Sequence, residues 1–321
     1  MSARLPLLFL CAQFGLLAPA SQAASYPVKP IRIIAPFAAG GGVDLIARIT
    51  GQKLSAGLEQ SVIIDNRPGA AGNIGTEVVA KAPADGYTLL AVSNSFTVNP
   101  SLYRTIPYDP IKDFEPVTLL TSYMLFVVCH PSLPVRSVKA LIALAKARPD
   151  SLNFASAGSG TTTHIGGELF KYMAGVRMTH IPYKGSAPSL IAVMGGEVPL
   201  SFASTSAVPH IRGGKLVLLG VTGTKRSARF PEAPTVAESG LPGYEATGWN
   251  ALFAPAGTPI AIVKRLSDAV GKGFREADAL ELFEKQDLEQ RAGTPEALAA
   301  LVRTEISKWA KVIKAAGIEQ Q

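Results

Sequence analysis

Apolar residues in this chain follow two alternating rhythms. Ile31-Arg32-Ile33-Ile34-Ala35 is short, β-branched and stopped by Pro36, which predicts a buried strand. Leu45, Ile46, Ile49 and Leu54 then recur at helical spacing and predict a helix. Between them lie Gly40, Gly41 and Gly42. Ser61–Asp65 reads as a second strand, Asn66–Asn73 as a turn-rich link, Ile74–Lys81 as a helix and Tyr87–Val92 as a strand. Strands alternating with helices in this way predict an α/β fold with a mainly parallel sheet.

Phe114–Val128 reads as one long strand entering new territory. A second alternating series follows: helix Leu141–Ala147, strand Leu152–Ser156, and a helix through Leu169, Phe170 and Met173. Strand Met178–Ile181, a helix through Leu190, Ile191 and Met194, strand Val198–Phe202, a short helix at Val208–Ile211 and strand Leu216–Val221 complete it. Tyr244–Phe253 looks extended and crosses back, and Ala261–Ile318 carries helical stripes. The expectation is two lobes, 26–125 with 250–321 and 126–249, joined by two crossing strands with a cleft between them.

Composition adds an address. Arg4, the apolar run Leu5–Leu17 and Ser21-Gln22-Ala23 form a secretory signal, which places the cut near residue 24 and the mature protein in the periplasm. The apolar run is shorter than the ~20 residues of a membrane span. Bulky Phe9 and Leu10 before Cys11 argue against lipid attachment. One cysteine, Cys129, then remains, within an apolar run that suits a buried structural thiol. The formal charge of +7 falls to +6 without Arg4 and is dispersed, with no basic-aromatic signature for nucleic acid.

Candidate chemistry concentrates where strands meet helices. Glycines permit close backbone approach, and the first N–H groups of a helix lack partners inside it. With the helix dipole, they suit an anion. Phe37–Asp44 is the first such turn, and Ser156–His164 repeats the design with hydroxyls at Ser156, Ser159, Thr161 and Thr162. Helix capping is the competing role for each hydroxyl. Ser93 and Ser95 lie past the end of a strand, where ligands bind in open α/β sheets. Asp44 either caps the helix beginning at Leu45 or contacts a ligand water or ammonium. No Gly-x-Ser-x-Gly elbow, metal-spaced cluster or phosphate-binding Gly-x4-Gly-Lys occurs, and the four histidines look isolated, so no cofactor or metal is expected.

Ordered motifs across nearly the whole mature chain resemble the Bug family, the extracytoplasmic receptors of tripartite tricarboxylate transporters. They include Tyr26-Pro27-Val28-Lys29-Pro30-Ile31, Pro36-Phe37 through Asp44, and Asp65-Asn66-Arg67-Pro68-Gly69. Further matches are Lys81-Ala82-Pro83-Ala84-Asp85-Gly86-Tyr87-Thr88, Ser156-Ala157-Gly158, Gly167-Glu168-Leu169-Phe170, Pro182-Tyr183-Lys184-Gly185 and Pro234-Thr235-Val236-Ala237-Glu238. The resemblance implies a type II periplasmic-binding-protein fold, a Venus flytrap. It also implies a small carboxylate gripped by backbone amides and waters of two loops. Residue by residue, it points to Phe37, Ala39, Gly40, Gly41, Gly42 and Asp44, to Ser93 and Ser95, and to Ala157, Gly158, Ser159, Gly160, Thr161 and Thr162. A membrane permease is the implied partner of a monomeric receptor.

Departures from the family concern the far end of a ligand. Ala203 stands where the family often has Asp, and Ser204 where it often has Asn. The missing carboxylate argues against a cationic group there. Phe37 and Phe96 either flank an apolar ligand body or are buried in the core. Two other function classes remain at this stage. One is a periplasmic hydrolase using Ser159 or Ser204 with His164 or His180. The other is a ligand-sensing partner of a signalling receptor.

Overall fold

In this computed structural model, residues 26–315, 317–318 and 320 are described; the signal segment lies outside them. The chain opens with β1 (Ile31–Ala35), α1 (Gly42–Leu58), β2 (Val62–Asn66), α2 (Asn73–Ala80), β3 (Thr88–Ser93) and α3 (Ser95–Leu102). β4 (Phe114–Met124) leads through Leu125 into β5 (Phe126–Cys129). Then come α4 (Val138–Ala147), β6 (Asn153–Ser156), α5 (Thr162–Ala174), β7 (Thr179–Pro182), α6 (Ser186–Met194), β8 (Leu200–Ala203), α7 (Val208–Arg212) and β9 (Val217–Val221). The chain returns through β10 (Thr247–Pro255) and ends with α8 (Ile260–Gly273), α9 (Ala277–Lys285), β11 (Glu289–Gln290) and α10 (Pro295–Ala315).

Two mixed sheets result. The first has the order β11-β4-β10-β3-β1-β2, the second β7-β6-β8-β5-β9. β1 pairs parallel to β2 and β3, whereas β10 runs antiparallel between β3 and β4. β6 is parallel to β7 and β8, and β5 is antiparallel to β8 and β9. Apolar clusters pack against both sheets, and the inner strand β5 is buried and apolar throughout.

Two crossings connect the sheets, and Thr222 ties them together. Its Oγ1 accepts the Leu125 N–H at 2.7 Å and donates to the Ala246 carbonyl at 2.6 Å. The Thr222 N–H also reaches the Leu125 carbonyl at 3.0 Å. One buried threonine therefore satisfies backbone groups of both connecting segments.

Several expectations change. Phe114–Val128 is two strands: Leu125 separates them, and each joins a different sheet. The C-terminal stretch is three helices, broken where Asp287 takes a left-handed backbone (φ 54°) and β11 adds an edge to β4. Periodicity of helical type does not register a two-residue strand. The first helix begins at Gly42, three residues before the apolar stripe, because free N–H groups at its start need no side chain. Ser95 and Phe96 open a helix, and Phe96 is buried among Tyr108, Phe114 and Phe253. Cys129 is buried as expected, and burial pushes its thiol up to about 11.

Candidate functional site

A cleft lies between the two sheets and is lined from both. At one side is the start of α1, with Gly41, Gly42 and Val43 in the lining. Facing it is the start of α5, with Thr161, Thr162 and Thr163. Neither helix receives a side-chain cap on its first turn. Two positive dipole ends with unfilled N–H groups therefore open onto one buried space. No lining residue carries an ionisable charge at neutral pH. Tyr123 is the one titratable group there, and burial pushes its phenol up so that it stays neutral.

Asp44 shapes the first loop without capping the helix. The N-cap is Gly41, whereas Asp44 sits in the first turn. Its Oδ2 accepts the Gly40 N–H at 2.9 Å and Arg48 Nε at 3.0 Å, and its Oδ1 accepts Asn66 Nδ2 at 3.0 Å. Burial alone would raise this carboxyl, but the bonds from Arg48, Gly40 and Asn66 outweigh it and hold it below the usual carboxylate range. Gly40 needs its φ of +80° to turn the chain back onto Asp44.

The second loop spends most of its hydroxyls on itself. Ala157 N–H donates to Thr163 Oγ1 at 2.8 Å, Gly158 N–H to Ser156 Oγ at 3.1 Å and Gly160 N–H to His164 Nδ1 at 3.1 Å. Thr161 Oγ1 donates to the Gly158 carbonyl at 2.6 Å. Thr162 Oγ1 donates to Asn94 Oδ1 and so leaves Tyr123 OH to donate to it at 3.1 Å. The amides of Ala157, Gly158 and Gly160 and the hydroxyls of Thr161 and Thr162 thus rigidify the loop. What the loop presents to the cleft is the backbone opening of α5.

Of the residues singled out from sequence, Phe37, Gly41, Gly42, Ser93, Ala157, Thr161, Thr162 and Ser204 line the cleft. Gly158 and Ser159 line a neighbouring cavity that shares Phe37 and Ala157 as its wall. Ala39, Gly40, Asp44, Ser95, Ser156 and Gly160 lie outside the lining, in supporting positions. Ala203 is buried in the apolar core with Phe126 and Val128 and does not face the cleft. Val43 and Thr163, from the two anticipated loops, also line it; Tyr123, Ser186, Thr205, Asn250 and Leu288 line it and were not anticipated. Register carries a signal for one of them: Asn250 lies directly opposite Ser93 across the antiparallel β10–β3 pair, so both side chains share a face.

The histidines are not all isolated. His164 and His180 stack with ring centroids 4.0 Å apart, and His180 Nε2 lies 2.5 Å from Ser156 Oγ. The nucleophile–base distance is met, but Ser156 is fully buried and outside the cleft lining, and no carboxylate orients His180. Burial drops His180 to about 4, and burial with the neighbouring ring drops His164 to about 2. Glu168 does not offset this, being 3.8 Å from His164 and turned to Lys171 at 2.8 Å.

The halves meet closely around the cleft. Gly160 packs on Asn99 and Leu102, and Ile165 joins a cluster with Val98, Leu102, Trp309 and Ile313. Ser227 Oγ donates to Asp287 Oδ2 at 2.7 Å, and Arg229 Nη1 to the Glu284 carbonyl at 2.5 Å.

Two helix-covered sheets, two crossing segments and a buried cleft between them define the class of the periplasmic solute-binding proteins. The model of the tripartite tricarboxylate transporter family receptor matches residues 46–318, and the chain belongs to that family. It is 39% identical to protein BugT of Bordetella pertussis over 306 residues, which is 94% of each chain. Its structure is similar to that of R. palustris Rpa4515 with adipate, with a TM-score of 0.90 at 38% identity over 92% of this chain and 100% of that one. Periplasmic binding protein BugD gives a TM-score of 0.88 at 34% identity, with 92% and 100% covered. Among the described residues no helix is long and apolar enough to cross a membrane, and no acidic, histidine or cysteine cluster could hold a metal.

Proposed function

We propose that this receptor captures a small carboxylate between two lobes, 26–125 with 250–321 and 126–249, and hands it to a membrane permease of the tripartite tricarboxylate type. One observation carries the reading: two uncapped helix openings, at Gly41–Val43 and Thr161–Thr163, line a single buried cleft. Neutral donors and fixed dipoles hold the negative oxygens there. The adipate named with the Rpa4515 structure fits the same chemistry. Phe37 and Leu288 supply apolar wall for the ligand body.

Opening and closing would pivot at Leu125 and Thr222–Ala246, and the residues of the first lobe would meet Gly160, Thr162 and Ser227 only on closure. Isothermal titration against aliphatic and aromatic carboxylates tests the reading. Micromolar or tighter binding of at least one, with compaction in small-angle scattering, is expected. Absence of binding by every mono-, di- and tricarboxylate in the panel would refute it. Turnover of an ester panel would instead favour hydrolysis.

A further inference from the structure

The two turns that open on the cleft are closed by the same bond at the same place. Gly40 and Gly160 both take a left-handed backbone, at φ +80° and +82°, one residue before the N-caps Gly41 and Thr161. Each sends its N–H to the side chain four residues on, Gly40 to Asp44 Oδ2 at 2.9 Å and Gly160 to His164 Nδ1 at 3.1 Å. Asp44 and His164 occupy the third position of their helices, and both are buried. Each side chain thereby takes up the amide just outside its helix. The amides of Gly42 and Val43 in the first turn, and of Thr162 and Thr163 in the second, have no acceptor among the described residues. The donor in both bonds is a main-chain N–H, so His164 must offer a bare Nδ1 and carry its proton on Nε2.

The geometry points to Asp44 and His164 as an equivalent pair of positioning residues, each fixing its glycine so that the free amides that follow face the cleft and grip the carboxylate. The inference rests on the carboxylate reading above and adds the residues that keep the grip in shape. Different chemistry serves the two places because their surroundings differ. Arg48, one turn beyond Asp44, bonds Oδ2 at 3.0 Å and balances its charge. One turn beyond His164 stands Glu168, and Lys171 already holds it at 2.8 Å. A carboxylate at 164 would therefore set an unbalanced negative charge beside a helix opening that receives an anion. A neutral imidazole accepts the same bond without that charge. His180 supports the second turn from behind. It stacks on His164 with centroids 4.0 Å apart and meets Ser156 Oγ, which accepts the Gly158 N–H.

Calorimetric titration of the full mature chain with acetate, succinate, adipate, citrate and benzoate selects the tightest of these acids as the probe. His164→Asn keeps an acceptor where Nδ1 stands but loses the ring packed on His180. His164→Leu keeps an apolar body there and offers no acceptor. The Asn variant should bind the probe within threefold of wild type even though it melts lower, and the Leu variant should bind it tenfold or more weakly. Equal affinity of the two variants, or weaker binding by the Asn variant, would overturn the inference while leaving carboxylate capture standing. The wild-type ring gives a second reading that needs no variant to fold. Imidazole nitrogen NMR at pH 7 should show His164 neutral with its proton on Nε2, and a proton on Nδ1 would overturn the inference. Binding of none of the acids would overturn both readings.

Discussion

Lowering the pH from 7 to 5 should weaken the folded state through the stacked imidazoles, not through the carboxylates. Both rings stay neutral in the fold, with His164 at about 2 and His180 at about 4 against an ordinary 6.5. An unfolded chain takes up a proton on each below pH 6.5, and the folded chain does not until far lower. The stabilisation is therefore complete above pH 6.5 and is lost as the pH falls from 6.5 towards 4. At pH 5 each ring contributes a loss of ~1.36 × 1.5, about 2 kcal/mol. His180 is only partly buried and is discounted, so the pair gives about 3–4 kcal/mol. The facing groups do not cancel this. Glu168 is held by Lys171, and Asp287, whose carboxyl is raised by burial, acts in the opposite sense as a single group against two rings. In a chain of this size the loss corresponds to roughly 6–10 °C of melting temperature. Calorimetry of the ligand-free protein at both pH values measures it. His180→Gln, which keeps a partner for Ser156, should halve the dependence. A melting temperature that changes by less than about 1 °C would refute the reasoning.

Three further outcomes follow from the geometry. Gly160→Ala places a Cβ 2.3 Å from Asn99 Oδ1 at a φ of +82°, so it should cost about 1–3 kcal/mol and cut ligand affinity, read by melting and titration together. Gly41→Val leaves room for Cβ, 3.4 Å from the Ala38 carbonyl, but pushes its methyls towards Ser186 across the cleft; binding should vanish with melting nearly unchanged, and retained affinity would count against the loop assignment. Thr222→Val removes the hydroxyl between Leu125 and Ala246 and should destabilise by about 1–3 kcal/mol in urea titration, because a buried N–H loses its acceptor.

The strand–loop–helix units were readable because each carries its signature locally: β-branched run, small residues, then helical spacing. Both helix openings at the cleft followed from that alone. Asn250, Tyr123 and Leu288 were not readable, since they reach the cleft only through sheet register and the returning tail. The same holds for the His164–His180 stack, which joins a helix start to a strand sixteen residues on. Ala203 misled for a related reason. Its place at a strand end suggested the cleft, but strand alternation turns it to the core and leaves Ser204 facing inward.

Nothing ionisable below the alkaline range lines the cleft, so the proposed grip on an anion would come from peptide groups that neither gain nor lose protons. On that reading, acidity would not loosen a bound carboxylate by discharging a gripping side chain. Under the function proposed above, unloading would be mechanical, through opening of the two lobes about the segments that Thr222 ties together.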